Sequence, residues 1–190
     1  DALARLVERA GTFMIQQGRF IALDGWLISI PERLMHGSPG LLSLRGVIAA
    51  IKGQVRQGLE FLNQAEAGFR TKQDHHGLAF ALFRRAWIHR LLGNYSASIA
   101  DADEGIRLCG DDETLLGARS EALRMKGFGL FRLGQAMQAI PYLEESLSIC
   151  QMLDDKGNMA LVQMDLGIVH RHIGENEVAK ELYEKALVIW

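Results

Sequence analysis

Cysteine and proline are scarce in this chain of 190 residues, with two of the first and three of the second. Two cysteines cannot build the disulfide framework that staples a small loop-rich fold. Cys109 and Cys150 stand one repeat interval apart, on equivalent places of neighbouring units. Neighbouring helices stack at roughly 8–10 Å, beyond the ~7 Å between Cα atoms that a disulfide tolerates. Two free thiols and a reducing, cytoplasmic setting are therefore expected. With few prolines and only 7% aromatic residues, the composition favours helix. A net charge of −2 offers no broad basic field, so no direct nucleic-acid contact is expected. No apolar run approaches the ~18 residues of a membrane span, and no basic segment leads into an apolar one as in a signal peptide. G-x-S-x-G and H-E-x-x-H are both absent, so neither enzyme activity nor a cofactor is expected.

What the chain does have is one phrase, repeated. The copies are AGTFMIQQGRF (10–20), RGVIAAIKGQV (45–55), RAWIHRLLGNY (85–95), KGFGLFRLGQA (126–136) and LGIVHRHIGEN (166–176). Each carries a small residue (Gly11, Gly46, Ala86, Gly127 or Gly167) seven positions before a second glycine (Gly18, Gly53, Gly93, Gly134 or Gly174). The second glycines recur at intervals of 35, 40, 41 and 40 residues. Periods in this range mark stacked supersecondary units. Leu123, Gly127, Leu130 and Leu133 recur at helical spacing before Gly134, and Ala139, Leu143, Ser146 and Leu147 after it. Each unit thus reads as a helix A, a tight turn at the second glycine, and a helix B. The turn needs glycine because it ends a helix in the left-handed region. A glycine inside a helix costs about 1 kcal/mol relative to alanine, so a repeated one points to close packing of helix B on helix A. Gly58, Ser98, Ala139 and Ala179 answer it on helix B, followed by Ala65, Gly105, Ser146 and Ala186.

The expected fold class is all-α, an α-solenoid forming a right-handed superhelix of about five antiparallel helix pairs. The expected units are near 2–34, 39–72, 75–110, 112–153 and 155–190, in one solenoid domain. Start signals at Ser38–Pro39, Asp74, Asp111–Asp112 and Asp154–Asp155 predict helices near 2–17, 20–30, 39–52, 55–71, 75–92, 95–109, 112–133, 136–152, 155–173 and 176–189. The chain begins inside a helical pattern without Met and ends as another helix completes, so it is expected to be a piece of a longer protein. The apolar Leu182, Leu187, Val188, Ile189 and Trp190 at that end suggest continuation of the parent or self-association.

The repeat resembles the tetratricopeptide repeat, whose pattern is W-x2-L-G-x2-Y…A-x3-F…P. Leu166–Gly167, Gly174, Ala179, Tyr183 and Ala186 make the fifth unit the best copy. Arg45, Arg85 and Lys126 replace the Leu elsewhere, the final Pro is mostly missing, and the period is longer than the usual 34. The segment Gly18-Arg19-Phe20, Trp26-Leu27, Ile30-Pro31, Leu34, Pro39 and Leu41-Leu42 is similar to the entry of the helical domain in MalT-like, LuxR-type ATP-dependent bacterial regulators. The later repeats resemble those of bacterial transcriptional activator domains. That resemblance implies a sensor and interaction domain binding an inducer or a partner protein, with ATPase and DNA-binding modules elsewhere. No phosphate loop or helix-turn-helix is recognisable in the chain itself.

Ligands of the repeat family touch helix A at ten, six, three and two residues before the turn glycine. Carried over, this implies a concave-groove set of Phe83, Trp87, Arg90, Arg124, Phe128, Phe131, Arg132, Met164, Arg171 and His172, with Leu91 and Ile168 beside them. Aromatics and arginine are enriched at binding hot spots, and an arginine fork suits carboxylate. Phe128, Ile168 and Met164 equally suit contacts between units. For Trp87, Arg90, Arg124, Phe131, Arg132 and Arg171, packing and binding remain open alternatives. A general scaffold whose Arg90, Arg124, Arg132 and Arg171 clamp acidic peptides or helices is the competing reading. The histidines point to structural roles and no metal site, since His170 and His172 diverge on a helix.

Overall fold

The computed structural model describes residues 2–189, and these form helices joined by tight turns. The helices are α1 (Ala2–Gln16), α2 (Phe20–Ile28), α3 (Glu32–Gly37), α4 (Pro39–Ile51), α5 (Val55–Thr71), α6 (His75–Leu91), α7 (Tyr95–Cys109), α8 (Leu116–Arg132), α9 (Ala136–Met152), α10 (Lys156–His172) and α11 (Asn176–Leu187). The predicted helices are present with ends within a few residues. Two details differ. A short helix, α3, follows Pro31, whose φ of −57° and ψ of 138° cannot continue α2. A 3-10 turn over Glu113–Leu115 precedes α8, which starts later than predicted.

Turns and caps form by one repeated chemistry. Gly93 and Gly134 sit at φ +75° and +83°, where an L side chain is strained. Beyond each, the next amide reaches back five residues: Asn94 N–H donates to His89 O at 2.9 Å and Gln135 N–H to Leu130 O at 2.9 Å. This is the Schellman closure, which satisfies a carbonyl left open at the end of helix A. Helix starts are capped as the sequence suggests. The side chains of Ser38, Asp74 and Asp155 accept from the amides of Leu41, Gly77 and Asn158.

The pairs α4–α5, α6–α7, α8–α9 and α10–α11 are tightly antiparallel, and α4, α6, α8 and α10 also touch in succession. The B helices α5, α7, α9 and α11 make no comparable contact with one another. The array therefore curves with its A helices inside. Each core cluster spans two or more helices, so the hydrophobic interior runs along the stack.

The repeated small residues lie where helices cross. A Cβ on Gly46 would meet Leu62 at 2.8 Å and Gly58 O at 2.9 Å, and one on Gly127 would meet Leu143 at 2.7 Å. On Gly167 it would meet the Tyr183 ring. Ala86 is fully buried, and its carbonyl accepts from Ser98 Oγ at 2.8 Å. Gly11 differs, because its side faces Leu44 of the next unit. The first unit is accordingly looser: α2 has nine residues and packs on α4 as well as on α1.

Basic residues replacing the family Leu also find a structural role. In the second, third and fourth units, the side chain eight residues before the turn glycine meets the residue eight after it. Arg45 lies over the Phe61 ring at 5.1 Å. Arg85 forms a two-point ion pair with Asp101 at 2.7 and 2.8 Å. Lys126 lies over the Tyr142 ring at 4.2 Å and pairs with Asp103 at 2.6 Å. In the fifth unit the same places hold Leu166 and Leu182, which join one core cluster.

These contacts give opposite expectations for two glycines of α8. Gly127→Val should destabilise by roughly 2–3 kcal/mol through overpacking, whereas Gly117→Ala, with open space around it, should stabilise by about 0.5–1 kcal/mol. Urea unfolding of both variants checks this, and equal effects would refute the packing role given to Gly127.

Candidate functional site

The stripe carried over from the repeat family lies on the A helices, along the inner face. Its members divide by exposure. Phe83, Phe128 and Arg124 are buried, Trp87, Arg90 and Phe131 are half-buried, and Arg132, Met164, Arg171 and His172 are exposed. Phe83 faces Phe80 at 5.6 Å. Phe128 is ringed by Tyr95 at 6.5 Å and Phe131 at 6.0 Å, and Phe131 meets His172 edge-on at 5.3 Å. An aromatic row thus runs from α7 across α8 to α10.

Two of the four arginines are already engaged. Asp165 on α10 accepts from Arg124 Nε at 2.7 Å. It also accepts from both terminal nitrogens of Arg90, at 3.2 and 3.3 Å. Its side chain is only 4% exposed, so this is an interior ion triad joining three consecutive units. The Arg90 guanidinium lies 3.6 Å from the centre of the Phe128 ring. Burial pulls the Arg90 pKa below its ordinary value, Asp165 pulls it back up, and Arg124 opposes that recovery. The clamp envisaged for all four arginines is therefore narrower in the fold. Arg132 leans over Tyr95 at 4.8 Å and Phe128 at 5.9 Å without an ion pair, and Arg171 is exposed on the last turn of α10. These two are the cations left for a ligand.

The groove floor holds charges that the sequence reading passed over. Arg84 is buried and donates to Ser43 Oγ at 2.8 Å and Thr12 Oγ1 at 2.9 Å. It also lies over the Phe80 and Phe83 rings at 5.6 and 5.7 Å, and burial pushes its pKa down to about 10, against the pull of Glu121. Burial likewise pushes the Glu121 carboxyl up, against the pull of Arg124 and Arg84. Asp165 sits nine residues before its turn glycine, one place off the stripe. Its signal in the sequence is a lone acid inside an apolar run, Val162-Gln163-Met164-Asp165-Leu166-Gly167.

The histidines have neighbours within the fold. His170 Nδ1 is 2.6 Å from Glu175, and His89 Nε2 is 3.8 Å from Asp101. Cys109 and Cys150 are buried and free, and burial raises both thiol pKa values. Cavities of about 610 and 110 Å³ lie away from the stripe, the larger between α7, α8 and α9 beside Lys126 and Tyr142. Leu187 and Val188 are exposed at 72% and 88%, while Trp190 of the apolar end lies outside the described residues. Among the described residues no helix is long and apolar enough to cross a membrane.

Helix pairs stacked with their A helices inward define an α-solenoid of the tetratricopeptide kind. The family model of the tetratricopeptide repeat matches residues 119–189, less than half of the chain. Solved structures extend the likeness of fold along the whole length. The Rap protein complexed with competence and sporulation factor is 16% identical with a TM-score of 0.75, covering 88% of this chain and 47% of its own. Pseudomonas aeruginosa pilF is 16% identical with a TM-score of 0.69, covering 100% of this chain and 78% of its own. The TPR-like repeats of a putative kinesin light chain from Podosopora anserina are 17% identical with a TM-score of 0.65, covering 100% of this chain and 96% of theirs. No curated protein matches the sequence. These likenesses support the repeat fold and do not support the MalT-like regulator reading, a small-molecule inducer or self-association.

Two outcomes follow for the charged interior. Asp165→Ala leaves Arg90 and Arg124 facing each other without their shared carboxylate, and should cost about 2–4 kcal/mol in urea unfolding. A change within ~0.5 kcal/mol, as for an ordinary surface site, would refute the triad. For Glu121, a raised folded pKa means the fold favours the protonated acid. Its contribution to stability is fully present below the unfolded value of 4.5 and is lost as pH rises through the folded pKa. Glu121→Gln should flatten that decline in thermal unfolding followed from pH 4 upward, and an unchanged slope would refute it.

Proposed function

We propose that this chain is a protein-interaction scaffold that takes an acidic peptide or helix of a partner along its inner face. The observation that carries this reading is the pairing of unneutralised arginines with a partly exposed aromatic row. Among the described residues Arg132 and Arg171 have no ion pair, and Phe131, His172 and Met164 lie on the same helices. Aromatic edges and an exposed thioether supply apolar contact, and the guanidinium forks supply recognition of carboxylate. The structural likeness to Rap, whose structure is a complex with competence and sporulation factor, supports a groove of this fold that can hold such a factor. A small inducer finds less support, because the two cavities described above lie off the stripe. Residence in a regulator of the MalT kind rests on the entry motif, the 40-residue period and the resemblance of the later repeats to activator domains, and the domains of the parent chain would decide it. The buried free thiols fit a cytoplasmic setting.

Fluorescence anisotropy with a labelled Glu-rich amphipathic peptide tests the reading. Arg132→Ala and Arg171→Ala should each weaken binding roughly five- to thirtyfold, about 1–2 kcal/mol. Raising salt should weaken the unmutated protein's binding as well. Equal affinity for the same peptide with Gln in place of Glu would sink the proposal.

A further inference from the structure

The Arg90–Asp165 contact joins residues 75 positions apart. It reaches from α6 to α10, and both of those helices pack on α8 between them. The contact therefore runs along the inside of the curve from the third unit to the fifth. Its two arms are unequal. Arg124 holds Asp165 at 2.7 Å, whereas Arg90 holds it at 3.2 and 3.3 Å. Two guanidiniums share one carboxylate, so the triad carries one positive charge in excess. Arg90 and Arg132 also share a ring, with guanidiniums 3.6 and 5.9 Å from the centre of Phe128.

From this geometry we propose that Arg90–Asp165 is a latch closing the third unit on the fifth, opened by a carboxylate that takes over Arg90. The opening half rests on the peptide-binding reading above. A partner carboxylate that reaches past exposed Arg132 to the half-buried Arg90 satisfies the guanidinium that Asp165 shares out. Asp165 keeps Arg124, so the exchange strands no buried charge, which is the usual obstacle to opening an interior ion pair. Released from α10, the fifth unit is held by its packing on the fourth alone, and the curve relaxes. The acidic ligand binds the open state better than the closed one, and only such a difference in affinity can shift the two populations.

The latch is read by a distance. Exposed Asn94 and Asn176, at the turns of the third and fifth units, are changed to Cys and spin-labelled, the native thiols being buried. Without ligand, Arg90→Gln should lengthen and broaden the distance distribution, since Arg124 still neutralises Asp165 and the helical circular dichroism should persist. Asp165→Asn should do the same, and should raise affinity for labelled hexaglutamate roughly fivefold or more. Glu177→Gln, an exposed charge change on α11, should do neither. Adding hexaglutamate to the spin-labelled parent should reproduce the Arg90→Gln distance. An Arg90→Gln distance equal to the parent's overturns the latch. Hexaglutamate bound with the distance unchanged overturns carboxylate-driven opening and leaves the binding reading intact. No binding by the unmutated protein overturns the binding reading and the opening with it, while the ligand-free Arg90→Gln distance still decides the latch.

Discussion

The close approach of helix B to helix A within a unit is the constraint on which the rest depends. It is set by backbone meeting backbone: Gly46 and Gly58 leave so little room that a Cβ on either would strike the other's carbonyl oxygen. At that separation the side chains one turn away are forced into register. Hence in the second, third and fourth units the residue eight before the turn meets the residue eight after it, whatever their chemistry. A Leu–Leu contact, a Lys over Tyr, an Arg–Asp pair and an Arg over Phe occupy the same geometric place. The scaffold tolerates that variety because backbone spacing, and not the identity of the pair, fixes the angle between helices.

The same register explains what could be read in advance. Most helix ends were legible because they are written in local chemistry, a glycine for the left-handed turn after helix A and an Asp or Ser cap before the next unit. The first unit is less regular because Pro31 breaks the chain after α2 and Gly11 faces Leu44 of the next unit. At Lys72–Asp74 and Leu153–Asp155 the left-handed position is held by Gln73 and Asp154, at φ 54° and 50°. No glycine marks those turns, and the following Asp caps locate them instead. Local signals sufficed wherever the structure is local.

The inner face was legible only in part, and for the converse reason. The position of each stripe residue follows from its distance to a turn glycine, so Phe131, Arg132, Arg171 and His172 could be placed. Which arginines are already paired could not, because the partner that Arg124 and Arg90 share lies 41 and 75 positions away in sequence. Arg90 and Arg132 occupy nearly the same register in adjacent units, yet one is bound to Asp165 and the other is not. Likewise Arg84 is a single letter beside Arg85, but it faces the groove and bonds the hydroxyls of Ser43 and Thr12, while Arg85 faces Asp101 on α7.

Charge placement on that face also bears on curvature. Each unit packs on the next in two ways, its B helix on the following A helix and its A helix on that same helix along the inner edge. Packing resists change over short distances, since interiors are close-packed, and it acts on one angle between adjacent units at a time. An ion triad spanning three units acts on the sum of two such angles. Its energy is delivered at the largest lever arm, the inner mouth of the groove, where a small rotation at each interface separates Arg90 from Asp165 most. Truncating a core side chain would loosen one interface, whereas removing Asp165 relieves two at once and exposes the guanidiniums to whatever occupies the groove. On the latch proposed above, the electrostatics of the inner face and the shape of the groove are one variable, and an acidic ligand would act on both.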